Sequence, residues 1–356
     1  MAVHFHLLKV KAINKETADC VSVVFDVPEH LEKAYSYEQG QNITLKKTID
    51  GEALRRSYSV CNAPHEKELK VAIKKVEGGK FSAFANDILQ PGDELEVLPP
   101  TGKFNTALDA SHKKNYLAFA AGSGITPVIS LIKATLHTEP GSSFTLVFGN
   151  RSRASIIFFE ELEAIKNKYL DRFSLINILS RERTESAINF GKIDEVKLTE
   201  LEKLVNYSKV DEYFICGPEA MIFCVKDFLE QKGTDKKKIH FELFNSSGKI
   251  PSSNTPAADN GAQSTITVKA DGRSFDIGLA LNSNTTILDA ALSQGADLPF
   301  ACKGGMCCTC KAKLIEGEVS MDVSWGLEQE EIEKGFILTC QSHPKTEKVV
   351  VDFDIK

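Results

Sequence analysis

Four cysteines carry the densest chemistry in this chain. Cys302, Cys307 and Cys310 stand in the run Cys302-Lys303-Gly304-Gly305-Met306-Cys307-Cys308-Thr309-Cys310, and Cys340 follows thirty positions later. Thiolates at C-x4-C-x2-C with a distant fourth can surround a two-iron, two-sulfide rhomb, a [2Fe-2S] centre that moves one electron at a time. The glycines let backbone amides approach the sulfurs, where hydrogen bonds tune the potential. A structural zinc site would show paired C-x2-C knuckles, and a disulfide framework belongs to secreted chains. Five of the nine cysteines fall between residues 302 and 340, and metal ligation accounts best for that crowding. Using Cys308 would break both spacings, so it is read as a non-ligand.

Arg56-Ser57-Tyr58-Ser59 offers a second chemistry. The Arg56 guanidinium suits a phosphate oxygen, the Tyr58 ring can cover a flat aromatic face, and the Ser59 hydroxyl can hydrogen-bond a ring edge without crowding it. An edge strand with a surface arginine and a half-buried tyrosine is the plainer reading. The run is similar to the R-x-Y-S flavin motif of the ferredoxin-NADP reductase family and is expected at the start of a strand. Gly78-Gly79-Lys80-Phe81-Ser82 resembles that family's second element, in which Gly79, Ser82 and a helix N-terminus face the flavin diphosphate; the pair of elements favours FAD. Pro100-Thr101-Gly102-Lys103-Phe104 resembles a family turn that closes the barrel. Val71-Ala72-Ile73-Lys74 spells a kinase strand motif, but no H-R-D or D-F-G follows, so a kinase is excluded. Lys74 is either near the polar side of the flavin or an exposed strand lysine.

Gly122-Ser123-Gly124-Ile125-Thr126-Pro127 follows an apolar strand and opens a helix, the context of a dinucleotide turn. Gly122, Gly124 and Thr126 are its candidate contacts. Pro127 replaces the third glycine of the usual fingerprint and matches the reductase family's G-x-G-x-x-P version. Gly149-Asn150-Arg151-Ser152-Arg153 has no carboxylate to hold a ribose 2′-OH and offers Arg151 and Arg153 instead, which favours NADPH. Ser180-Arg181, after the next strand, either adds a phosphate contact or is a solvated loop. Cys216-Gly217-Pro218-Glu219 resembles the family's C-G-P element beside the nicotinamide, and Glu242 with Phe244 its E-x-F tail. The resemblance makes Ser59, Cys216 and Glu242 the catalytic candidates.

These residues must be positioned by three kinds of element. Residues 1–110 show short strand-like runs, Cys20–Val27, Gln41–Lys46, Leu69–Val76 and Glu94–Leu98, which predict an antiparallel β-barrel. From 111 to 244, strands at Tyr116–Ala121, Phe144–Gly149, Phe173–Leu179 and Glu212–Cys216 alternate with helix-like or loop segments, predicting a parallel, doubly wound α/β domain. Residues 245–263, rich in Ser, Asn, Pro and Gly, read as a flexible linker that would let the last module alternate between flavin and partner. Beyond it, Thr265–Lys269 and Arg273–Ile277 flank Asp271-Gly272, a hairpin signal. A helix capped by Thr286 and stopped at Gly295 follows, then strands at Lys311–Leu314 and Lys348–Phe353. That order over 264–356 is an α+β beta-grasp layout, similar to plant-type ferredoxins.

At 356 residues the chain outgrows a single core. Its net charge of −6 opposes attachment to nucleic acid or anionic lipid, and no stretch has the ~18 apolar residues of a membrane span, so a cytoplasmic protein is expected. Flavin barrel, nucleotide domain and ferredoxin module in this order resemble the reductase components of multicomponent oxygenases over nearly the whole chain. In that group Cys308 departs from the usual smaller residue. The resemblance implies hydride transfer from NADPH to FAD, then single electrons through the [2Fe-2S] cluster to oxygenase subunits. An iron-sulfur redox sensor is the non-enzyme alternative, and it predicts no NADPH turnover.

Overall fold

The computed structural model describes residues 4–244, 263–281, 283–296 and 298–355. They form two compact units, Phe5–Phe244 and one that holds the 263–355 segment. The expected linker falls outside the described residues except for Gln263, which already belongs to a strand.

In the first unit, β1 (His6–Thr17), β2 (Cys20–Asp26), β3 (Asn42–Ile49), β4 (Glu52–Ser59), β5 (Leu69–Lys74) and β6 (Glu94–Val97) make one antiparallel sheet, with α1 (Lys80–Asp87) between β5 and β6. The order is β4-β3-β6-β1-β2-β5, and a bridge from Val60 to Val71 joins the two edges into a barrel. Leu8, Val23, Ile43, Leu45, Val71 and Ile73 fill it, and Phe81 of α1 joins this core. Asp50 and Gly51 both have positive φ, +51° and +79°, the tight-turn geometry that matches strand twist and sets Ile49 opposite Glu52. This early start puts Arg56–Ser59 at the C-terminal end of β4, where the sequence reading expected the start of a strand. β1 went unread because register shifts between Val10 and Ala12 and between Lys15 and Thr17 break its two-residue period.

The same unit continues with β7 (Asn115–Ala121), α2 (Ile125–Thr138), β8 (Ser143–Asn150), α3 (Phe159–Lys168), β9 (Phe173–Leu179), α4 (Glu195–Leu201), β10 (Glu212–Cys216), α5 (Glu219–Gln231) and β11 (Ile239–Glu242). Its strands are parallel in the order β11-β10-β7-β8-β9. The chain reverses its direction of winding between β7 and β10, and the crevice beyond their carboxyl ends is where such sheets take ligands. Lys133 of α2 ties the two halves of the unit together. Its Nζ lies 2.7 Å from Glu66, 2.8 Å from Glu161 and 3.1 Å from Asn62 Oδ1, while Ser130 Oγ donates to the Asn62 carbonyl at 2.6 Å.

The second unit holds β12 (Gln263–Ala270), β13 (Arg273–Ala280), α6 (Ile287–Ser293), β14 (Lys311–Glu316), β15 (Val319–Met321), α7 (Gln329–Glu333), β16 (Phe336–Leu338), β17 (Ser342–Pro344) and β18 (Lys348–Asp352). Five strands run β13-β12-β18-β14-β16, with β12 and β18 parallel, and β15 pairs with β17. Thr286 caps α6 by accepting from Asp289 N at 3.2 Å, and Gly295, at φ +87°, ends its last turn. α6 then donates from Leu288 N to the Thr339 carbonyl at 3.0 Å, which fixes the segment that carries Cys340.

Candidate functional site

The chain brings the four cysteines together as two pairs. Cys302 and Cys307 exchange contacts, Cys302 N donating to Cys307 Sγ at 3.4 Å and Cys307 N to Cys302 Sγ at 3.5 Å. Cys310 meets the Cys340 thiol because Thr339 Oγ1 donates to the Cys310 carbonyl at 2.9 Å and Thr339 N at 3.2 Å. Two ligands per pair suit a dinuclear centre. Among the described residues, no three Cys, His, Asp or Glu side chains converge as they would on a single metal ion. The Cys307 thiol lowers Cys302 to about 5, and against the opposing effect of burial so do the amides of Cys307, Gly304 and Met306. A loop that presents N–H groups to a thiolate is prepared for iron. Lys303 and Gly305 take φ of +51° and +76°, and a Cβ on Gly305 would lie 2.5 Å from Val323 Cγ2. Cys308 Sγ is turned onto the Gly326 carbonyl at 2.7 Å.

On the barrel, Ser59 is buried, Tyr58 half-buried and Arg56 exposed, all at the C-terminal end of β4. Burial pushes the Tyr58 phenol up, so its ring stays neutral, and it packs 5.9 Å from the Phe81 ring. Gly79 is the N-cap of α1; Ser82 Oγ donates to its carbonyl at 3.1 Å and accepts from Val76 N at 3.0 Å. Asp19, Lys75, Val76, Gly78, Gly79 and Lys80 line a cleft of about 480 Å³ here. Lys74 pairs with Asp19 at 3.6 Å and reaches toward Gly122.

Gly122, at φ +53°, and Gly124 form the turn between β7 and α2, with Thr126 Oγ1 donating to the Ser123 carbonyl at 3.0 Å. A Cβ on Gly124 would stand 2.0 Å from the Cys216 carbonyl oxygen, so the turn and the end of β10 touch backbone to backbone at the switch point. Ser59 Oγ donates to Glu242 Oε2 at 3.2 Å, which brings the barrel and the end of β11 together. Burial and the Glu242 charge push the Cys216 thiol well up, so it stays protonated. Ser59, Cys216 and Glu242 therefore gather about one place, 183 residues apart in sequence at the extremes. Phe244 is partly exposed just beyond.

Three family models match the chain in succession: an oxidoreductase FAD-binding domain over residues 7–106, an oxidoreductase NAD-binding domain over 119–227 and a 2Fe-2S iron-sulfur cluster binding domain over 268–345. A component of the 1,2-phenylacetyl-CoA epoxidase of Escherichia coli (strain K12) is 44% identical over 99% of this chain and 98% of its own length. The ferredoxin reductase component of the 3-ketosteroid-9-alpha-monooxygenase of Rhodococcus rhodochrous is 35% identical, covering 98% of this chain and 96% of that protein. The chain belongs to the flavin and [2Fe-2S] reductases of oxygenases. The solved structure of phthalate dioxygenase reductase, described as modular for electron transfer from pyridine nucleotides to [2Fe-2S], aligns over 98% of both chains at 25% identity with a TM-score of 0.58. As a member of this reductase family the protein is an NAD(P)H oxidoreductase with FAD and a [2Fe-2S] cluster, and the three residue sets above fit those groups. No helix among the described residues is long and apolar enough to cross a membrane.

For this reductase, the loops after β8 and β9 are where the structure adds most. Arg151 and Arg181 are exposed neighbours at the ends of β8 and β9, linked by Arg181 N donating to the Arg151 carbonyl at 2.8 Å. Ser180 Oγ turns inward to the Asn150 carbonyl at 3.3 Å, and the Arg153 guanidinium lies 4.6 Å over the Phe159 ring. The sequence offered no carboxylate in the 149–153 run, yet Glu182 Oε2 accepts from Arg153 N at 2.8 Å. Only the parallel pairing of β8 with β9 brings it there, so no local pattern signalled it.

Proposed function

We propose that this chain is the NADPH-dependent reductase component of an oxygenase that epoxidises the ring of phenylacetyl-CoA in phenylacetate degradation, acting in the cytoplasm with the oxygenase subunits. The 44% identity to the E. coli epoxidase component along almost the whole chain carries this reading. The flavin domain is taken as 1–110, the nucleotide domain as 111–244 and the ferredoxin domain as 264–356. When bound, FAD, NADPH and the cluster together supply the conversion of a hydride into single electrons. The chain's own residues bind and orient. Arg56, Lys74, Gly79 and Ser82 hold the flavin and its phosphates, Tyr58 covers the ring, and Gly122, Gly124 and Thr126 seat the dinucleotide. Ser59 and Glu242, hydrogen-bonded to each other, and the neutral Cys216 thiol place the nicotinamide. Arg151, Arg153, Ser180 and Arg181 face the 2′-phosphate end, Phe244 closes the nucleotide side, and Cys302, Cys307, Cys310 and Cys340 ligate iron.

The test mixes the purified protein, NADPH and the oxygenase subunits and follows phenylacetyl-CoA consumption. Loss of substrate is expected only with all components; NADPH oxidation with no phenylacetyl-CoA loss would leave a reductase of a different oxygenase, as the steroid-monooxygenase relative suggests. Cys302→Ser is expected to abolish reduction of cluster-dependent one-electron acceptors and spare NADPH oxidation by a two-electron acceptor. Survival of both activities would remove the cluster from the path.

A further inference from the structure

A buried polar pin joins the chain just past β4, which carries the flavin run, to α2, which begins at the dinucleotide turn. Asn62 stands three residues beyond Ser59, at most about 11 Å along the chain, and Ser130 stands six residues beyond Gly124, about 9 Å along the helix. Asn62 is 3% exposed and Ser130 fully buried. Both polar atoms of the Asn62 side chain are engaged, one by each half of the unit: Oδ1 accepts from Lys133 Nζ at 3.1 Å and Nδ2 donates to Glu68 Oε2 at 3.0 Å. The Asn62 carbonyl accepts from Ser130 Oγ at 2.6 Å. Farther along α2, Lys133 reaches Glu66 at 2.7 Å and the His137 ring stacks on His65 at 3.8 Å. Residues 130, 133 and 137 fall on one helical stripe, and each meets the 62–66 segment. Neither Asn62 nor Ser130 belongs to a flavin or dinucleotide run, so cofactor binding does not account for this contact.

We propose that Asn62 and Ser130 are positioning residues for hydride transfer: their contact sets the separation between the strand end that presents Ser59 to the flavin and the helix end that seats the nicotinamide dinucleotide. This rests on the flavin and dinucleotide placements above. In the step itself a hydride leaves C4 of the reduced nicotinamide and bonds to flavin N5. The C–H bond breaks, both electrons travel with the hydrogen, the nicotinamide is oxidised and the flavin reduced. Neither residue touches the reacting atoms. A shift of about 1 Å between the two halves lengthens the donor–acceptor distance, and a displacement of that size costs up to roughly 10²-fold in rate. The remaining ties, Ser59 to Glu242 and Gly124 against Cys216, limit the shift.

Asn62→Ala removes both side-chain contacts, and Ser130→Ala removes the donor to the buried carbonyl. Stopped-flow flavin bleaching of the full-length, flavin-loaded protein is expected to show the limiting rate about tenfold lower in each, with KM for NADPH within about twofold of the parent. A second readout needs no turnover. A non-reducing tetrahydro analogue of NADPH, bound to the parent, should give a long-wavelength charge-transfer absorbance that requires face-to-face rings, and both variants should weaken that band without weakening binding. A limiting rate and band equal to the parent's in both variants overturn the proposal, as does a raised KM at an unchanged limiting rate. An equal loss in Glu139→Gln, whose carboxyl is buried at the far end of α2, also overturns it, because lost stability alone would then explain the effect. Should N62A fail to fold, S130A decides by the same outcomes. The levels separate: a parent that binds the analogue and gives no band removes the cofactor placement, whereas a parent band that both variants keep removes only the pin.

Discussion

Gly124→Ala is the most direct test of the dinucleotide seat. The added Cβ would lie 2.0 Å from the Cys216 carbonyl oxygen, 2.4 Å from its carbon and 2.8 Å from Gly217 N, against the 3.4 Å at which ordinary contact begins. All three obstacles are main chain, so no side chain can swing aside, and the 122–127 turn must part from the end of β10 by about 1.4 Å, the difference between 3.4 and 2.0 Å. Overpacking of that kind costs about 3 kcal/mol, at the upper end for a single inserted group. A displacement of order 1 Å at a substrate-positioning loop costs roughly 10²-fold in rate. The expected result is a kcat/KM for NADPH lowered about 10²-fold, measured as flavin bleaching in a stopped-flow instrument, with flavin content and dithionite reduction of the cluster unchanged. Gly149→Ala is the control, because the atoms nearest its Cβ are side chains, Ile193 at 3.2 Å and Ala121 at 3.4 Å. A folded, flavin-loaded G124A that keeps kcat/KM within about threefold would refute the placement of the dinucleotide at the switch point.

Lys133→Met should cost about 3 kcal/mol in a denaturant melt, since it removes the cation between Glu161 and Glu66 at the junction of barrel and α/β sheet, leaving Glu161 with Lys70 at 3.2 Å and Glu66 with Ala63 N at 2.6 Å. Glu139 accepts from Tyr116 OH at 2.9 Å, Ser142 Oγ at 2.7 Å and Asp109 N at 3.2 Å and contacts His112 at 2.8 Å. Burial acts to raise its pKa, but these partners outweigh it and hold the carboxyl below 4.5, so its stabilisation is complete above pH 4.5 and is lost as pH falls through the lowered value. Glu139→Gln should therefore cost about 2 kcal/mol at pH 7 and flatten the acid limb of a stability-against-pH curve; an unchanged limb would assign the acid sensitivity elsewhere. Arg153→Ala should lower the NADPH-to-NADH ratio of kcat/KM by about tenfold, the value of one charge-assisted phosphate contact, while Glu182→Gln should raise it severalfold by removing a carboxylate from the phosphate's surroundings. Steady-state assays with both nucleotides check the pair, and equal ratios in all three proteins would place the 2′-phosphate away from this loop.

Much of this molecule was legible because its chemistry is carried by short, local runs. Asp271-Gly272 marks a hairpin by backbone rules alone, and the structure gives both residues positive φ at that turn. The twin pair Asp50-Gly51 carried the same signal, and reading it would have started β4 at Glu52 and moved Arg56–Ser59 to the strand's end. β1 was invisible for the opposite reason, since its bulges scramble the alternation by which a half-buried strand is recognised. Glu182 could not be found by pattern. It becomes relevant through strand pairing, which no local run of residues contains.

By itself the sequence determined which atoms can ligate iron, which turns can approach phosphate, and the order of barrel, nucleotide domain and ferredoxin module, because spacing, glycine and hydrophobic period act over a few residues. Tertiary structure alone decided that Cys302 pairs with Cys307 and Cys310 with Cys340, that Ser59 reaches Glu242, and that Gly124 rests on Cys216. Most of those contacts join residues tens to hundreds of positions apart. They are fixed by sheet order and close packing, which no local window of sequence contains.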